Sequence, residues 1–201
     1  GAYLAVAIIL LLFSVGYSAM SQHVTNAGAF FAYVGRGLGI NTGVGALCDV
    51  IIDRKDQSAL SRNLLFSHAC GVGEPLGRIE TRAIMAAQIN NFAHGYSGIR
   101  LDVVDTLLAL LNNDMLPLIP SRGSVGYLTH AAAIGLVLIG AGECRHDNKL
   151  IPGSDALHAL GLKPLVLQAK EGLSLVNGTA CSMGLGSLAL ARAERFLEWA
   201  D

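Results

Sequence analysis

Residues 101–112 read Leu-Asp-Val-Val-Asp-Thr-Leu-Leu-Ala-Leu-Leu-Asn, and this stretch determines the predicted fold class. An α-helix completes a turn about every 3.6 residues, so apolar side chains three or four positions apart lie on one face. The stretch therefore predicts an amphipathic helix whose buried face consists of Leu101, Val104, Leu107, Leu108 and Leu111.

Other segments carry helical signals of the same kind. Residues 127–142 are almost entirely apolar but include Thr129 and His130, which favours a buried helix of a large bundle over a membrane span. Alternation of period two is scarce, so few strands are expected. The predicted fold is mainly α, with further helices over 81–91, over 154–160 (Ser154 as N-cap, Gly161 and Pro164 as the stop) and over 182–199.

The composition excludes several classes of function. Hydrophobic residues make up 52% of the chain and charged residues 14%, which indicates helices buried on several sides or a membrane segment. A net charge of −1 argues against a nucleic-acid-binding protein. The four cysteines form no CxxC pair, and we interpret them as reduced core residues: Cys48, Cys70, Cys144 and Cys181.

The N-terminal part differs from the rest. Residues 2–20 contain no charged residue, Asn or Gln, and a helix of about 20 such residues can cross a bilayer. The first basic residue is Arg36, which would place the C-terminal side in the cytoplasm. A buried core helix is the alternative. Residues 17–21 (Tyr-Ser-Ala-Met-Ser) and 24–34 (Val-Thr-Asn-Ala-Gly-Ala-Phe-Phe-Ala-Tyr-Val) resemble a transmembrane segment and loop of bacterial amino acid permeases. We therefore predict a permease-like segment over 1–38 and a second unit over 39–201.

Two patterns contain residue types that bind cofactors or metals, but neither has the required spacing. The glycines between Gly35 and Gly45 miss the G-x-G-x-x-G spacing and include no Gly-Lys pair, so tight turns explain them better than a nucleotide loop. His130, Cys144 and His146 match no common zinc spacing, and no metal site is predicted.

From residue 39 onward, six colinear blocks resemble the histidine ammonia-lyase type of aromatic amino acid ammonia-lyase. In chain order they read Gly-Ile-Asn-Thr-Gly-Val-Gly (39–45), Arg-Asn-Leu-Leu-Phe-Ser-His-Ala-Cys-Gly-Val-Gly-Glu-Pro-Leu (62–76), Gly-Tyr-Ser-Gly-Ile-Arg (95–100), Leu-Leu-Ala-Leu-Leu-Asn (107–112), Pro-Ser-Arg-Gly-Ser-Val-Gly (120–126) and Lys-Glu-Gly-Leu-Ser-Leu-Val-Asn-Gly-Thr (170–179). The resemblance implies a piece of the helical ammonia-lyase fold.

The resemblance also implies chemistry and site residues. In this family an electrophile, methylidene-imidazolone, forms from an internal Ala-Ser-Gly, and a tyrosine removes the β-proton as ammonia leaves an L-amino acid. By resemblance, Asn177 contacts this group, and Asn41 lies in the active-site loop. Ser67 and His68 match the substrate-selectivity pair, and a Ser-His pair points to histidine as substrate.

The sequence departs from the family at two positions. The catalytic tyrosine falls on Leu38, which cannot serve as a base. Gly126 is followed by Tyr127 and not by Ala-Ser-Gly, and Ser124 is followed by Val125, so no equivalent triplet exists. We therefore expect no prosthetic group in this chain.

Three functions stay open at this stage. The first is an ammonia-lyase that is incomplete or inactive in this chain, and the second is a non-catalytic amino-acid-binding protein of the same fold. The third is a fragment of an amino acid permease. By resemblance we expect a homo-oligomer (the family forms homotetramers) and a cytoplasmic lyase-like part, with membrane association if the N-terminal helix is genuine.

A lyase piece without its partner helices would expose large apolar faces, so we predict that the chain expressed alone aggregates. Light scattering of the purified chain tests this expectation. A monodisperse monomer across the accessible concentration range would contradict it.

Overall fold

The structure is a computed structural model that describes residues 44, 50–124 and 126–200. Within these residues the chain forms seven α-helices and five short strands. In chain order they are α1 (Gln57–His68), β1 (Val72–Pro75), α2 (Arg78–Ala93), α3 (Leu101–Asn112), β2 (Leu116–Pro117), β3 (Pro120–Arg122), α4 (Thr129–Leu138), β4 (Glu143–His146), β5 (Lys149–Pro152), α5 (Gly153–Ala159), α6 (Glu171–Val176) and α7 (Ala180–Ala200).

The predicted mainly α fold is confirmed for the described residues. The helices expected over 81–91 and 182–199 correspond to α2 and α7, each longer than predicted by a few residues. The apolar stretch 127–142 contains α4, a buried helix as expected. No described strand exceeds four residues, in agreement with the scarcity of alternating patterns.

The predicted buried face of α3 is confirmed only in part. Leu107 is buried and Val104 and Leu111 pack partly buried against the core, but Leu101 and Leu108 are exposed. The buried side chains of the helix are Val103, Thr106, Leu107 and Leu110. Adjacent leucines give this helix two overlapping apolar faces, which share the buried Leu107. Thr106 can be buried because its hydroxyl donates to the Asp102 carbonyl at 2.7 Å.

The predicted N-cap of α5 was also wrong, while its stop is confirmed. The helix begins at Gly153 after Pro152, and the Ser154 hydroxyl bonds the Asp155 carboxylate instead of a backbone amide. At the other end Gly161 has φ +69°, and the amides of Gly161 and Leu162 donate to His158 and Leu157 carbonyls. These two bonds form a Schellman motif, which ends the helix.

The core is organised around α4. This helix contacts α1, α3, α5, α6, α7 and β2, and eight of its ten residues are buried. Those residues are Thr129, His130, Ala131, Ala132, Ile134, Gly135, Val137 and Leu138.

Two small antiparallel sheets connect the helices. β1 pairs with β3, and β2, β4 and β5 form a three-stranded sheet. The pairing of β1 with β3 holds the segment after α1 beside the segment that precedes α4. It therefore sets the geometry of the loop between β3 and α4.

Helix α7 packs along α2 through a close backbone approach. A Cβ atom placed on Gly184 would lie 2.7 Å from the Ile84 backbone nitrogen, so only glycine fits at this crossing. An ion pair between Arg192 and Glu80, 3.0 Å apart, links the same two helices further along. Beyond this contact the end of α7 exposes Phe196, Leu197 and Trp199.

The predicted transmembrane helix over 2–20 lies outside the described residues, and no observation supports it. Among described residues, one helical stretch is long and apolar enough to cross a membrane, namely Glu171–Trp199 with α6 and α7 taken together. Length and composition alone are weak evidence for a membrane span. Helix α7 packs on α2 and is joined to it by the Arg192–Glu80 ion pair, as expected for a helix that packs within the fold.

The Gly184 contact predicts opposite effects for two substitutions in α7. Gly184→Ala forces the α2 and α7 backbones apart and should lower the free energy of unfolding by about 1–3 kcal/mol. Gly186→Ala is the matched control, because a Cβ there has no neighbour within 4 Å. It should stabilise the helix by about 0.5–1 kcal/mol. Urea unfolding measures both, and equal effects would contradict the contact.

Candidate functional site

The predicted selectivity pair lies at the C-terminal end of α1. His68 Nδ1 is 2.9 Å from the Leu64 carbonyl oxygen and 3.0 Å from Ser67 Oγ, and Ser67 Oγ is 3.0 Å from the same carbonyl. A carbonyl oxygen only accepts, so Nδ1 carries the proton and donates. In the neutral imidazole the lone pair then resides on Nε2. The end of α1 thus presents a hydrogen-bond acceptor on a half-buried ring.

The loop between β3 and α4 closes on itself through hydrogen bonds. The Ser124 hydroxyl donates to the Tyr127 carbonyl at 2.7 Å and accepts from the Gly126 amide at 3.1 Å. The Thr129 amide also donates to the Tyr127 carbonyl, at 2.9 Å, across Leu128 with φ +64° and ψ −77°. This is a γ-turn of the rare, strained hand.

The same loop is docked on the helices that follow it. The Leu128 amide donates to the Val176 carbonyl at 3.2 Å, and the Ser182 hydroxyl donates to the Gly126 carbonyl at 3.0 Å. Val176 is the last residue of α6, and Ser182 belongs to the first turn of α7. The loop therefore lies against the junction between α6 and α7.

Asn177 occupies this junction. Its amide donates to the Leu173 carbonyl at 2.8 Å, which completes the last turn of α6, and its side chain is exposed. Because Val176 binds Leu128, Asn177 is held next to the loop in which the family carries its triplet. This position fits the role predicted for Asn177 but does not test it.

The end of α1 meets the same loop. A Cβ on Gly71, three residues after His68, would lie 3.2 Å from Thr129 Cγ2, and one on Gly123 would lie 3.3 Å from Gly71 Cα. The structure thus brings the Ser67–His68 end of α1, the 123–128 loop and the Asn177 junction to one region. The hydrogen bonds of His68 and of Asn177 do not join the two residues. Asn41 and Leu38 lie outside the described residues.

A buried histidine–cysteine pair underlies the loop. His130 Nδ1 is 2.6 Å from Cys181 Sγ, and each residue is the second of its helix, α4 and α7. Burial lowers the pKa of His130, against a smaller raising effect of the Pro120 carbonyl, and burial raises the pKa of Cys181. Both groups are therefore neutral at neutral pH, which suits a structural contact better than a nucleophile.

The other cysteines differ in burial. Cys144 is buried, and burial raises its pKa to about 12, whereas Cys70 is exposed and so is not the core residue that we predicted. Cys48 lies outside the described residues. In the part of the chain that the structure describes, no three His, Cys, Asp or Glu side chains are placed to hold a metal ion.

An ion pair that sequence reasoning missed fixes the start of α6. Arg100 Nε donates to Glu171 Oε1 at 2.7 Å and Nη2 to Oε2 at 2.9 Å, a two-pronged contact. The Glu171 side chain is 4% exposed. Both residues fall within the quoted family blocks, and this was the only sequence signal for either of them.

A groove of about 570 Å³ lies between α2 and α7, lined mainly by small residues such as Ala83, Ala87 and Gly184. Neither His68, nor the 123–128 loop, nor Asn177 lines it. The groove is therefore separate from the candidate site, although Thr179 at its rim lies two residues after Asn177.

A family model described as aromatic amino acid lyase matches residues 22–201. The chain belongs to this aromatic amino acid lyase family. The match begins inside the segment predicted to be permease-like, and no observation supports the permease resemblance. The boundary predicted between residues 38 and 39 stays a prediction.

Relatives and solved structures of the lyase family agree with this assignment. The chain is 48% identical over 166 residues to histidine ammonia-lyase of Myxococcus xanthus (81% of this chain, 33% of the relative). It is 45% identical to the enzyme of Treponema denticola, with the same coverage. The chain thus spans about a third of the length of these curated relatives.

Solved structures give the same fold. Histidine ammonia-lyase from Trypanosoma cruzi matches with a TM-score of 0.73 at 33% identity, covering 82% of this chain and 34% of that one. The phenylalanine aminomutase of Pantoea agglomerans matches with a TM-score of 0.77 at 34% identity, covering 81% and 32%. The described helices are therefore part of the lyase fold.

The Arg100–Glu171 pair predicts a pH dependence of stability. Burial acts to raise the pKa of Glu171, but hydrogen bonds from Arg100 and the Gln168 amide, with the charge of Arg100, bring it below its ordinary value of 4.5. A depressed folded-state pKa stabilises the fold above about pH 4.5, and the stabilisation is lost as the pH falls through the folded pKa. Glu171→Gln should cost about 1–3 kcal/mol at pH 7, a difference that shrinks below pH 4.5.

Urea unfolding of both proteins between pH 3 and pH 7 measures this difference. Glu194→Gln, which changes an exposed carboxylate on α7, is the matched control and should unfold with the wild type at each pH. A wild-type and Glu171→Gln difference that is constant across this range would show that the ion pair is not responsible.

Proposed function

We propose that this chain is an amino-acid-recognition part of a histidine ammonia-lyase-type protein and that it does not itself eliminate ammonia. The proposed ligand is an L-amino acid with an imidazole side chain, histidine being favoured. For the whole protein the corresponding reaction is loss of ammonia from the amino acid to give an unsaturated acid. The family assignment and the sequence identity to histidine ammonia-lyases support this direction.

The observation that carries the proposal is the hydrogen bonding of Ser67 and His68. Both side chains use the Leu64 carbonyl, which leaves His68 Nε2 as an acceptor. The imidazole ring of histidine carries N–H donors that can bind such an acceptor, whereas a phenyl ring has none. A polar acceptor at this position therefore favours histidine over phenylalanine, and a tyrosine hydroxyl is the nearest competitor.

The residues present do not fit the family's methylidene-imidazolone. Tyr127 and Leu128 stand where the triplet is expected, and neither is Ala, Ser or Gly. The carbonyls of Gly126 and Tyr127 and the amides of Leu128 and Thr129 already take part in hydrogen bonds. Asn177 is exposed beside the loop, and we propose that it contacts the bound amino acid and not an electrophile.

Assembly and location belong to the same proposal. By family resemblance we propose a homo-oligomer in which residues of other subunits complete the site. By the same family resemblance we propose a cytoplasmic location. Membrane insertion is not part of the proposal.

Ligand preference tests the role of His68. Isothermal titration should show that the chain binds L-histidine more tightly than L-phenylalanine. His68→Phe removes the Nε2 acceptor and should weaken L-histidine binding by up to about tenfold, as expected for one lost hydrogen bond.

His158→Phe is the matched control, because His158 is an exposed histidine on α5, away from the site. It should bind L-histidine as the wild type does. If wild-type protein of confirmed helicity does not bind L-histidine, the recognition role is wrong. Production of urocanate from L-histidine would show instead that the chain does eliminate ammonia.

A further inference from the structure

Helix α6 is too short to be stable without help. It contains six residues, Glu171–Val176, and helices shorter than about 12 residues are marginal in water even for favourable sequences. Its last turn is completed by Asn177. The position of Asn177 therefore depends on whatever holds this helix in place.

Four hydrogen bonds to one carboxylate hold the start of α6. Glu171 accepts two from the Arg100 guanidinium, one from the Arg100 amide at 3.4 Å and one from the Gln168 amide at 2.7 Å. Arg100 Nη2 also donates to the Val166 carbonyl at 2.9 Å. The side chain of Arg100 thus joins the segment before α3, the loop around Val166 and the first residue of α6.

The side of α6 is pressed against α1. A Cβ on Gly172 would lie 2.2 Å from the Ser61 carbonyl oxygen, so the two helix backbones are in direct contact there. The Ser61 hydroxyl donates to the Gln168 carbonyl at 2.8 Å, which fixes the approach. Helix α1 is the one that ends at His68. The ion pair and this contact consequently hold α6 in one place relative to the helix that carries the selectivity pair.

We propose that Arg100 and Glu171 are positioning residues for Asn177, acting through the rigid length of α6. Six helical residues span about 9 Å, so a shift or tilt at Glu171 is carried to the loop junction. There the Val176 carbonyl accepts from Leu128 and therefore sets the loop as well. The importance of this position for ligand binding rests on the function proposed above. The coupling of Glu171 to Asn177 does not.

An ion pair is a costly way to stabilise this place, which supports a positional role. Desolvating two charges offsets most of their attraction, and well-packed apolar residues often stabilise as much. A two-pronged contact, in contrast, specifies both the distance and the orientation of its partners. An apolar contact at Glu171 would bury area without fixing the direction of α6.

Hydrogen exchange of individual amides tests the coupling without any ligand. In Glu171→Gln, the amides of Asn177 and Leu128 should exchange about tenfold faster than the loss of global stability in the same variant accounts for. The amides of Ala69, just after α1, and Leu162, after α5, donate to the Leu65 and Leu157 carbonyls and should change by no more than the global loss.

Two further variants keep the test decisive. Arg100→Lys preserves the charge but loses the two-pronged contact with Glu171. It should therefore speed exchange at the Asn177 and Leu128 amides to a smaller extent. Glu80→Gln breaks the Arg192–Glu80 pair between α2 and α7 and should leave Asn177 and Leu128 unaffected. If Glu171→Gln accelerates all amides equally, or leaves Asn177 and Leu128 at their wild-type rates, the positioning role is overturned.

Binding and exchange separate the two proposals. Wild-type protein that does not bind L-histidine defeats the recognition role, while selective acceleration at Asn177 still establishes the positioning role. If the wild type binds L-histidine but amide exchange is unchanged in Glu171→Gln, the recognition role stands and the positioning role is overturned.

Discussion

The arrangement depends on one helix, α4, that is buried on nearly all sides. A buried helix leaves its neighbours little choice of position, because each of them must cover part of its surface. It also requires partners for its polar groups, and His130 finds one in Cys181 at the start of α7. The first turn of α4 is consequently the place where the start of α7, the end of α6 and the segment after α1 meet. The candidate site lies at that end.

The helices were predictable because apolar spacing and stop signals are local. The Gly161 stop of α5 is an example, since a positive φ and two backbone bonds within six residues define it. The buried face of α3 was not predictable, because two overlapping apolar faces share Leu107 and the surrounding helices select between them. Ser154 failed as a cap because Pro152 already directs the chain into α5 one residue earlier.

The site was predictable only in part, and from resemblance more than from physical pattern. Ser67, His68 and Asn177 come to one region, although spacing alone does not relate residues on α1 to a residue after α6. The Arg100–Glu171 and His130–Cys181 contacts join residues 71 and 51 positions apart. Neither leaves a periodic signal in the sequence, since the fold alone brings the partners together.

The γ-turn at Leu128 has a consequence for how the scaffold accommodates change. A leucine with positive φ costs on the order of 1–3 kcal/mol, which indicates that the loop between β3 and α4 is too short to relax. This link is anchored at both ends. The anchors, β3 and the first turn of α4, are fixed by their own pairing and burial. Extra residues inserted between them would loop outward and relieve the strain while the helices stayed in register. Length at this link can therefore vary independently of the helical bundle.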